Sequence, residues 1–399
     1  MTQPSNFKLL TNETAIALTK KLGLIHTNDS LQCNEIGDGN LNYVFHVTNP
    51  DTNKGVIIKQ AVPYAKVLGE SWPLTLKRAA IEANALIQFG SYCPEFVPKV
   101  YYSDEQLAIT IMEDLSHLKI ARTGLIDGNH FPLLSKHIGE FVAKTAFYTS
   151  DFHLEPSAKK EVARNFTNPE LCKITEVFIF TDPFFEEHPG EFELELKVAA
   201  QTIWNDAELI LEVAKLKQCF ESEQEALLHG DLHTGSIFAS DIETKVIDPE
   251  FAFYGPVGFD LGQYIANLLF QAITRPAAEK EEIFTYLQEF LDTFEETYTA
   301  LWNSDNKSPY SKVDGYLSYV LTKFKSDAYG FAGCELIRRT IGLSHVADLN
   351  GIENKETRIA AKTATLKVGA YLIKNRKELN IPTVNEIVKQ YTLASYSTL

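Results

Sequence analysis

Two short acidic segments in the second half of the chain hold the residues best suited to chemistry. Residues 229–233 read HGDLH, and residues 246–250 read VIDPE after a short strand–turn–strand. We expect this connection to bring the carboxylates of Asp231, Asp248 and Glu250 to one end of a small sheet. Crowded carboxylates repel one another unless a cation neutralises them, and hard oxygen ligands favour Mg²⁺ with nucleotide phosphates. Solvated surface turns are the alternative, but apolar residues flank both segments.

A glycine turn, a lysine and a glutamate upstream fit the same chemistry. Residues 37–40 read GDGN before a predicted strand, Lys59 ends the next strand, and Glu82 lies on the helix that follows. A glycine turn lets backbone N–H groups approach phosphates, and a strand lysine supplies positive charge to them. Glu82 is a candidate ion-pair partner that would aim Lys59. Each feature alone is typical of a hairpin loop or a solvated charge, but their order and spacing favour a phosphate site.

The order of these parts resembles that of protein-kinase-like phosphotransferases: glycine loop, strand lysine, helix glutamate, hinge, H-x-D loop and metal-binding aspartate. The chain resembles the small-molecule branch, which includes aminoglycoside and choline kinases, and more closely the bacterial 5-methylthioribose kinases. The resemblance rests on residues 35–45 (EIGDGNLNYVF), 69–74 (GESWPL), 112–118 (MEDLSHL), 229–236 (HGDLHTGS), 248–250 (DPE) and 335–339 (ELIRR). These blocks span nearly the whole chain.

The chain departs from the general kinase pattern at two positions. Ser236 stands five residues after Asp231, where an asparagine is expected, and the usual D-F-G is replaced by residues 248–250 (DPE). A hydroxyl is a weaker metal ligand than an amide carbonyl, so we infer that the Glu250 carboxylate replaces the lost asparagine. Both departures resemble those of methylthioribose kinases, which favours that family over a degenerate pseudokinase.

The resemblance implies transfer of the γ-phosphoryl group of ATP to the 1-hydroxyl of 5-methylthioribose, a step of methionine salvage. Asp231 would accept or orient the proton of that hydroxyl as the catalytic base. Asp248 and Glu250 would hold Mg²⁺, and backbone groups of residues 113–115 would bind adenine. The implied nucleotide site comprises Gly37, Gly39, Asn40, Asn42, Lys59, Glu82, Glu113, Asp114, Leu115, Asp248, Pro249 and Glu250.

The resemblance also places an arginine of the pair Arg338 and Arg339 at the sugar. Adjacent helix residues point about 100° apart, so the two do not share one role easily. We favour Arg339 as the substrate contact, and a buried salt bridge is the alternative for either residue. Trp72 lies in a predicted loop over residues 69–73, where it either closes over the substrate or packs in the core.

Composition and charge exclude several classes of function. The chain has 37 Lys and Arg against 53 Asp and Glu, a net charge of −16, which argues against partners such as nucleic acid or anionic membrane surfaces. No apolar run approaches the roughly 18 residues of a membrane span. The first ten residues lack the features of a signal peptide, and the five cysteines form no C-x-x-C. We therefore expect a cytoplasmic protein, and the family resemblance suggests a homodimer.

The elements that position these residues change in character along the chain. The first part reads as mixed α and β, with helices predicted over 13–22 and 76–89 and strands over 42–48, 55–59, 97–102 and 108–112. Long amphipathic helices are then predicted over 137–147, 193–217, 259–273, 281–301, 317–346 and 357–375, interrupted by strands over 236–239 and 245–247. The predicted fold is α+β, bilobal and protein-kinase-like. Residues 1–115 would form a small β-rich nucleotide-binding lobe, and residues 116–399 a large helical lobe for catalysis and substrate.

Two other functions are consistent with the motifs. The chain is alternatively a kinase of the same fold for another alcohol, such as an aminoglycoside, choline or homoserine. A nucleotide-binding pseudokinase is the alternative outside enzymes, and the joint presence of Lys59, Glu82, Asp231 and Asp248 argues against it.

Overall fold

The computed structural model describes residues 7–26, 30–36, 41–65, 69–188 and 190–396. The chain divides into two units by packing. The first consists of Met1–Lys119 together with Lys245–Ala252, and the second of Ile120–Thr244 together with Phe253–Leu399. The segment around Asp248 thus belongs to the first unit, although most of the chain around it belongs to the second.

Before Lys119, the described residues of the first unit form seven strands and two α-helices. They are α1 (Asn12–Lys21), β1 (Gln32–Glu35), β2 (Asn42–Asn49), β3 (Lys54–Ala61), β4 (Tyr64–Ala65), β5 (Gly69–Pro73), α2 (Lys77–Gly90), β6 (Val100–Asp104) and β7 (Ile109–Glu113). Five strands form an antiparallel sheet in the order β1-β2-β3-β7-β6, and β4 pairs with β5. The predicted strands and helices of this region are present, with ends shifted by at most three residues.

The register of the β2–β3 hairpin places the polar side chains of the site. Val44 pairs with Lys59, and Asn42 pairs with Ala61. Between the strands, the side chain of Asn49 accepts hydrogen bonds from the backbone of the turn, which starts the reversal. Apolar side chains of both strands alternate into a core with Ile111 of β7. This alternation fixes the register, because a slip of one residue would turn the core face toward solvent.

The second unit is mainly helical. Its helices are α3 (Ala121–Ile126), α4 (Leu134–Tyr148), α5 (Pro156–Asn165), α6 (Pro169–Phe180), α7 (Lys197–Trp204), α8 (Ala207–Ser222), α9 (Gly258–Thr274), α10 (Ala277–Asp305), α11 (Tyr316–Ile341), α12 (Ala347–Asn350), α13 (Lys355–Asn375) and α14 (Ile381–Tyr396). Short strands complete the chain: β8 (Lys119–Ile120), β9 (Ala226–Leu228), β10 (Ile237–Ala239), β11 (Thr244–Val246) and β12 (Phe253–Gly255), with β9 and β12 antiparallel. The predicted α+β class is confirmed.

Helices α9, α11 and α13 pack closely because glycines line their contacts. A Cβ atom added at Gly262 of α9 would lie 2.7 Å from the carbonyl oxygen of Ala328 in α11. A Cβ at Gly333 of α11 would lie 2.5 Å from the carbonyl oxygen of Gly369 in α13. Side chains larger than hydrogen would push these helices apart, so the glycines fix the position of α11, which carries Arg338 and Arg339.

The observed helices differ from the predicted ones in three places. The predicted helix over 193–217 is two helices, because the side chain of Asp206 accepts a hydrogen bond from the Leu209 N–H and caps a new start. The helix predicted to reach residue 346 ends at Ile341, just before Gly342. Helices α3, α5, α6, α12 and α14 were not predicted. None of the described helices combines the length and apolarity that crossing a membrane requires.

Candidate active site

Lys59 lies at the centre of a charged cluster in the first unit. Its Nζ donates to Oε1 of Glu82 on α2 at 2.9 Å and also to Oδ1 of Asp248. The Glu82 side chain is buried, whereas 42% of the Asp248 side chain is exposed. Burial alone would lower the pKa of Lys59, but three neighbouring carboxylates raise it above its ordinary range, so the ammonium stays charged. The cluster therefore presents one exposed carboxylate next to a fixed positive charge.

The backbone at Asp248 is in an unusual conformation. Its φ angle is 69°, in the left-handed region that residues other than glycine rarely adopt. Such a conformation costs about 1–3 kcal/mol and is found most often at functional sites. Pro249 and Glu250 follow in a buried 3-10 turn, Pro249–Phe251. The turn directs the Glu250 side chain into the first unit.

Arg78 of α2 connects Glu250 to the start of β2. Its Nε donates to Oε2 of Glu250 at 3.2 Å, and one Nη2 hydrogen bond reaches Oδ1 of Asn42 at 3.0 Å. The Asn42 amide in turn donates to the same Glu250 oxygen at 3.0 Å. The other Arg78 hydrogen bonds go to the carbonyls of Leu41, Val62 and Thr75. This fully buried guanidinium holds the glutamate, the asparagine and three backbone segments together.

Sequence analysis did not identify Arg78, although two signals mark it. Arg78 precedes Glu82 by four residues, which places both side chains on one face of α2. A cation in the first turn of a helix is also unfavourable with the helix dipole, so it requires other partners. The partners are far apart in sequence, because Asn42 and Glu250 lie 36 and 172 residues from Arg78.

We expect Arg78→Met to lower the free energy of unfolding by about 3–5 kcal/mol, because it leaves the buried Glu250 carboxylate without its cation. ATP affinity should fall as well, since Asn42 loses a partner. Urea denaturation and equilibrium ATP binding measure the two effects, with the exposed neighbour Lys77→Met as the matched control. Wild-type stability and affinity in Arg78→Met would contradict this role.

The segment predicted to bind adenine follows directly after β7. The Glu113 N–H already donates to the carbonyl of Lys99 at 2.9 Å. The Asp114 carboxylate accepts from the Ser116 N–H at 2.9 Å and lies 2.7 Å from Nε2 of His46. These contacts fix the direction of the chain from Glu113 to Leu115.

In the second unit, Asp231 lies on a loop whose backbone is held by hydrogen bonds to Asp260. The Asp260 carboxylate accepts hydrogen bonds from the N–H groups of His229 and Gly230 at 2.7 and 3.0 Å. The Asp231 N–H donates to Nδ1 of His229 at 3.2 Å. Nε2 of His233 lies 3.4 Å from Oδ2 of Asp231. Sequence analysis missed Asp260, whose signal is a single acid in an apolar stretch, buried here in the first turn of α9.

Arg338 and Arg339 share one buried carboxylate. The Nε atoms of Arg338 and Arg339 donate to the two oxygens of Glu335 at 2.6 and 2.7 Å. Arg339 also donates through Nη1 to the carbonyl of Ser344 at 2.8 Å. Burial would raise the pKa of Glu335, but the two guanidiniums outweigh it and hold the value at about 2. One carboxylate faces two cations, so the pair keeps an excess of positive charge.

The remaining predicted site residues have these places. The first unit contains Asn42, Lys59, Glu82, residues 113–115 and residues 248–250. The second unit contains Asp231, Arg338 and Arg339. Gly37, Gly39 and Asn40 lie outside the described residues. The predicted loop over residues 69–73 is wrong, because these residues pair with β4 as strand β5. The Trp72 side chain lies outside what the structure describes. The two predicted lobes and their functional assignment stay predictions.

The donor set of the first unit fits a divalent cation. Three carboxylates, those of Glu82, Asp248 and Glu250, crowd around the two cations Lys59 and Arg78. Burial and the other two carboxylates raise the pKa of Glu82 to about 8, and a bound cation would relieve this crowding. Carboxylate oxygens are the ligands that Mg²⁺ prefers, with phosphates completing its shell. The exposed Asp248 carboxylate can supply such an oxygen ligand directly, and Glu250 lies two residues further along the chain.

Comparison with known proteins identifies the relatives of the chain. Residues 32–296 match the model of the phosphotransferase enzyme family. The methylthioribose kinase of Geobacillus thermodenitrificans is 59% identical over 378 residues, which cover 95% of this chain and 96% of the relative. That of Geobacillus kaustophilus is 58% identical over 375 residues, covering 94% and 95%. That of Bacillus velezensis is 51% identical over 392 residues, covering 98% of each chain.

These matches confirm the protein-kinase-like class and the prediction of an ATP-dependent small-molecule kinase. The family model covers Lys59, Asp231 and residues 248–250, and the matches to the methylthioribose kinases extend over 94% to 98% of the chain. The chain belongs to the phosphotransferase enzyme family and, within it, to the methylthioribose kinases.

Proposed function

We propose that the chain transfers the γ-phosphoryl group of ATP to the 1-hydroxyl of 5-methylthioribose, giving 5-methylthioribose 1-phosphate and ADP in methionine salvage. The observation that supports phosphotransfer most directly is the contact of the Lys59 ammonium with both Glu82 and Asp248. Phosphotransferases of this fold use that arrangement to position a lysine at the phosphates and a carboxylate at the metal. The names of the relatives supply the sugar substrate.

The residues of the first unit bind the nucleotide in this proposal. Lys59 contacts the phosphates, and its ion pair with Glu82 fixes its direction. Asn42 holds the nucleotide from a position set by Arg78. Asp248 and Glu250 would hold Mg²⁺, whose charge neutralises the phosphate oxygens. Since the Glu113 N–H is engaged by Lys99, adenine takes its hydrogen bonds from the other backbone groups of Glu113, Asp114 and Leu115. The glycine turn at Gly37, Gly39 and Asn40 supplies further N–H groups.

The residues of the second unit bind and activate the sugar. Asp231 accepts the proton of the 1-hydroxyl as the oxygen attacks phosphorus. Arg338 and Arg339 donate hydrogen bonds to the sugar, because a guanidinium presents five N–H donors in a fixed fork. Their shared bond to Glu335 orients both guanidiniums before the substrate binds. We favour Arg339 as the main sugar contact, and Trp72 of β5 as a further contact.

An ATP-consumption screen tests the substrate. Methylthioribose, choline, homoserine and an aminoglycoside are each supplied with ATP and Mg²⁺, and ADP is measured. We expect turnover with methylthioribose alone, and a product with phosphate on the anomeric carbon by phosphorus NMR. Preferred turnover of another alcohol would identify a different kinase of the same fold, and no turnover with any substrate would contradict the proposal.

We also propose that the chain acts as a homodimer in the cytoplasm, with ATP and the sugar as its small-molecule partners. The dimer rests on family resemblance, and the compartment rests on the five free cysteines, which are typical of a reducing environment. Analytical ultracentrifugation of the full chain measures the oligomeric state, and a single species of 44.8 kDa would contradict the dimer.

We expect Glu250→Gln to raise the Mg²⁺ concentration needed for ATP binding and turnover, with little change in the KM for methylthioribose. Glutamine keeps the shape of glutamate and an acceptor oxygen for Asn42, but it loses the negative charge that binds the cation. The Mg²⁺ dependence of ATP binding at equilibrium measures the effect, with the exposed Glu105→Gln as the control. An unchanged Mg²⁺ curve would mean that Glu250 serves only Arg78 and Asn42.

A further inference from the structure

A third arginine lies at the loop that carries Asp231. Arg122 occupies the first turn of α3, and its Nη2 donates to Oδ1 of the buried Asn267 at 2.6 Å. Its Nε lies 3.4 Å from Oδ2 of the buried Asp348. Within the described part of the chain, neither Nε of Arg122 nor Oδ2 of Asp348 has a hydrogen-bond partner. An arginine whose role is to pair with a carboxylate normally presents its fork to both oxygens, and Arg122 does not.

The free edge of the Arg122 guanidinium faces the catalytic loop. A Cβ atom at Gly235 would lie 3.1 Å from Nη1 of Arg122 and 3.0 Å from Cε1 of His233. His233 in turn lies next to the Asp231 carboxylate. Arg122 thus approaches the side of the loop on which Asp231 and His233 project, and a side chain at position 235 would press against it.

Three guanidiniums therefore converge near Asp231. Burial and the charge of nearby Arg339 lower the pKa of Arg122, although the carboxylates of Asp348, Asp231 and Glu335 oppose this shift. Burial and the charges of Arg122 and Arg339 also lower the pKa of His233 well below its ordinary value, so the imidazole is neutral. A neutral sugar needs hydrogen-bond donors and gains little from a third guanidinium, whose charge is opposed in the free site by Asp348 and Asp231. A phosphate monoester, by contrast, carries a charge of about −1.5 to −2 at neutral pH.

We propose that Arg122 contacts the phosphoryl group as it reaches the sugar, and that it makes the site bind the sugar 1-phosphate more tightly than the free sugar. In this step the 1-hydroxyl oxygen forms a bond to the γ-phosphorus, and the bond between that phosphorus and the β–γ bridging oxygen breaks. The hydroxyl proton passes to Asp231, and ADP leaves with the bridging oxygen. The inference rests on the proposed function, because it names the phosphorylated product of that reaction.

A purely structural role for Arg122 predicts a different result. Oδ1 of Asn267 also accepts a hydrogen bond from Oγ1 of Thr234 in the catalytic loop, at 3.2 Å. Arg122 would then only brace this loop through Asn267. Loss of this contact would weaken the binding of the free sugar and of the sugar phosphate to the same extent, and it would lower the melting temperature. A phosphate contact, in contrast, affects only the ligand that carries a phosphate.

The test compares the affinities of two ligands for the full chain without ATP. Calorimetry measures the binding of methylthioribose and of methylthioribose 1-phosphate to the wild type, Arg122→Gln and Arg122→Lys. The matched control is Arg275→Gln, since Arg275 is similarly buried and donates to the carbonyl of Leu125 at the other end of α3. Circular dichroism and thermal melts accompany each variant.

We expect Arg122→Gln to bind the sugar phosphate roughly 10- to 100-fold more weakly, as for loss of a hydrogen bond to a charged group, and the free sugar within about twofold of wild type. The affinity of Arg122→Lys for the sugar phosphate should lie between those of the wild type and Arg122→Gln, because lysine keeps the positive charge but not the forked donors of a guanidinium. Equal losses for both ligands, or no loss for the sugar phosphate, would overturn the inference. A wild-type chain that binds neither ligand would instead contradict the proposed function itself.

Discussion

Replacing Asp231 with alanine is expected to lower kcat by about 10²- to 10⁴-fold, the usual contribution of a positioned general base. Asp231 is partly exposed on its loop, with its N–H donating to His229 and its carboxylate beside His233. Because the pKa of His233 is far below its ordinary value, the imidazole is a poor substitute for the base. ATP affinity should remain near that of the wild type, since the proposed nucleotide contacts are made by other segments.

Steady-state kinetics with methylthioribose and equilibrium ATP binding measure the two parts of this prediction. Asp241→Ala, at an exposed position of the same unit, is the control for general effects of losing an acid. A kcat near the wild-type value in Asp231→Ala would show that another group takes the proton. A parallel loss of ATP binding would show that the variant disturbs the fold of the loop.

We expect Glu335→Gln to lower the free energy of unfolding by about 3–5 kcal/mol, as when one partner of a buried ion pair is removed. Glu335 is fully buried, and both Arg338 and Arg339 depend on its two oxygens. Glutamine retains one acceptor oxygen and places an N–H₂ group against a guanidinium. Urea denaturation measures the change, with the exposed Glu296→Gln as the control. Unchanged stability would show that the two arginines find other acceptors.

The same carboxylate makes stability depend on pH. In the folded chain the pKa of Glu335 is about 2, below its ordinary value of 4.5. A carboxyl group with a depressed pKa stabilises the folded state above its unfolded-state pKa, and this contribution is lost as pH falls toward the folded value. Glu193, whose pKa is also about 2 beside Lys362 and Arg358, acts in the same direction. We therefore expect wild-type stability to fall between pH 4.5 and about 2, and Glu335→Gln to show a shallower fall.

Local sequence signals predicted the elements of the first unit well. The alternation of Phe45 and Val47 against Val56 and Ile58 is a two-residue period, and the structure has a hairpin there. The Lys59–Glu82 contact could be inferred because a strand and the helix after it are close in sequence. The contact between Lys59 and Asp248 spans 189 residues. Composition and periodicity carry no information on which distant segment packs against a strand.

The arginine pair shows a second limit of sequence reasoning. The angle of about 100° between adjacent helix residues suggested separate roles for Arg338 and Arg339. Long side chains overcome that angle, because positions three and four residues after Glu335 both lie over its carboxylate. The structure thus joins both arginines to one acid, and the choice of Arg339 as the main sugar contact stays a prediction. The break between α7 and α8 was missed for a related reason, since one cap residue, Asp206, outweighed the apolar pattern.

The close packing of α9, α11 and α13 restricts how this enzyme can be made more heat-resistant. Replacing a helical glycine by alanine ordinarily adds up to about 1 kcal/mol of stability, so such changes are common choices in engineering. At Gly262 and Gly333 the added methyl group would lie within 3 Å of a backbone carbonyl oxygen on the neighbouring helix. Selection for heat resistance from a library of glycine-to-alanine variants should therefore reject alanine at Gly262 and Gly333. Alanine at these positions would raise helix propensity but would disturb the helix spacing that positions Arg338 and Arg339.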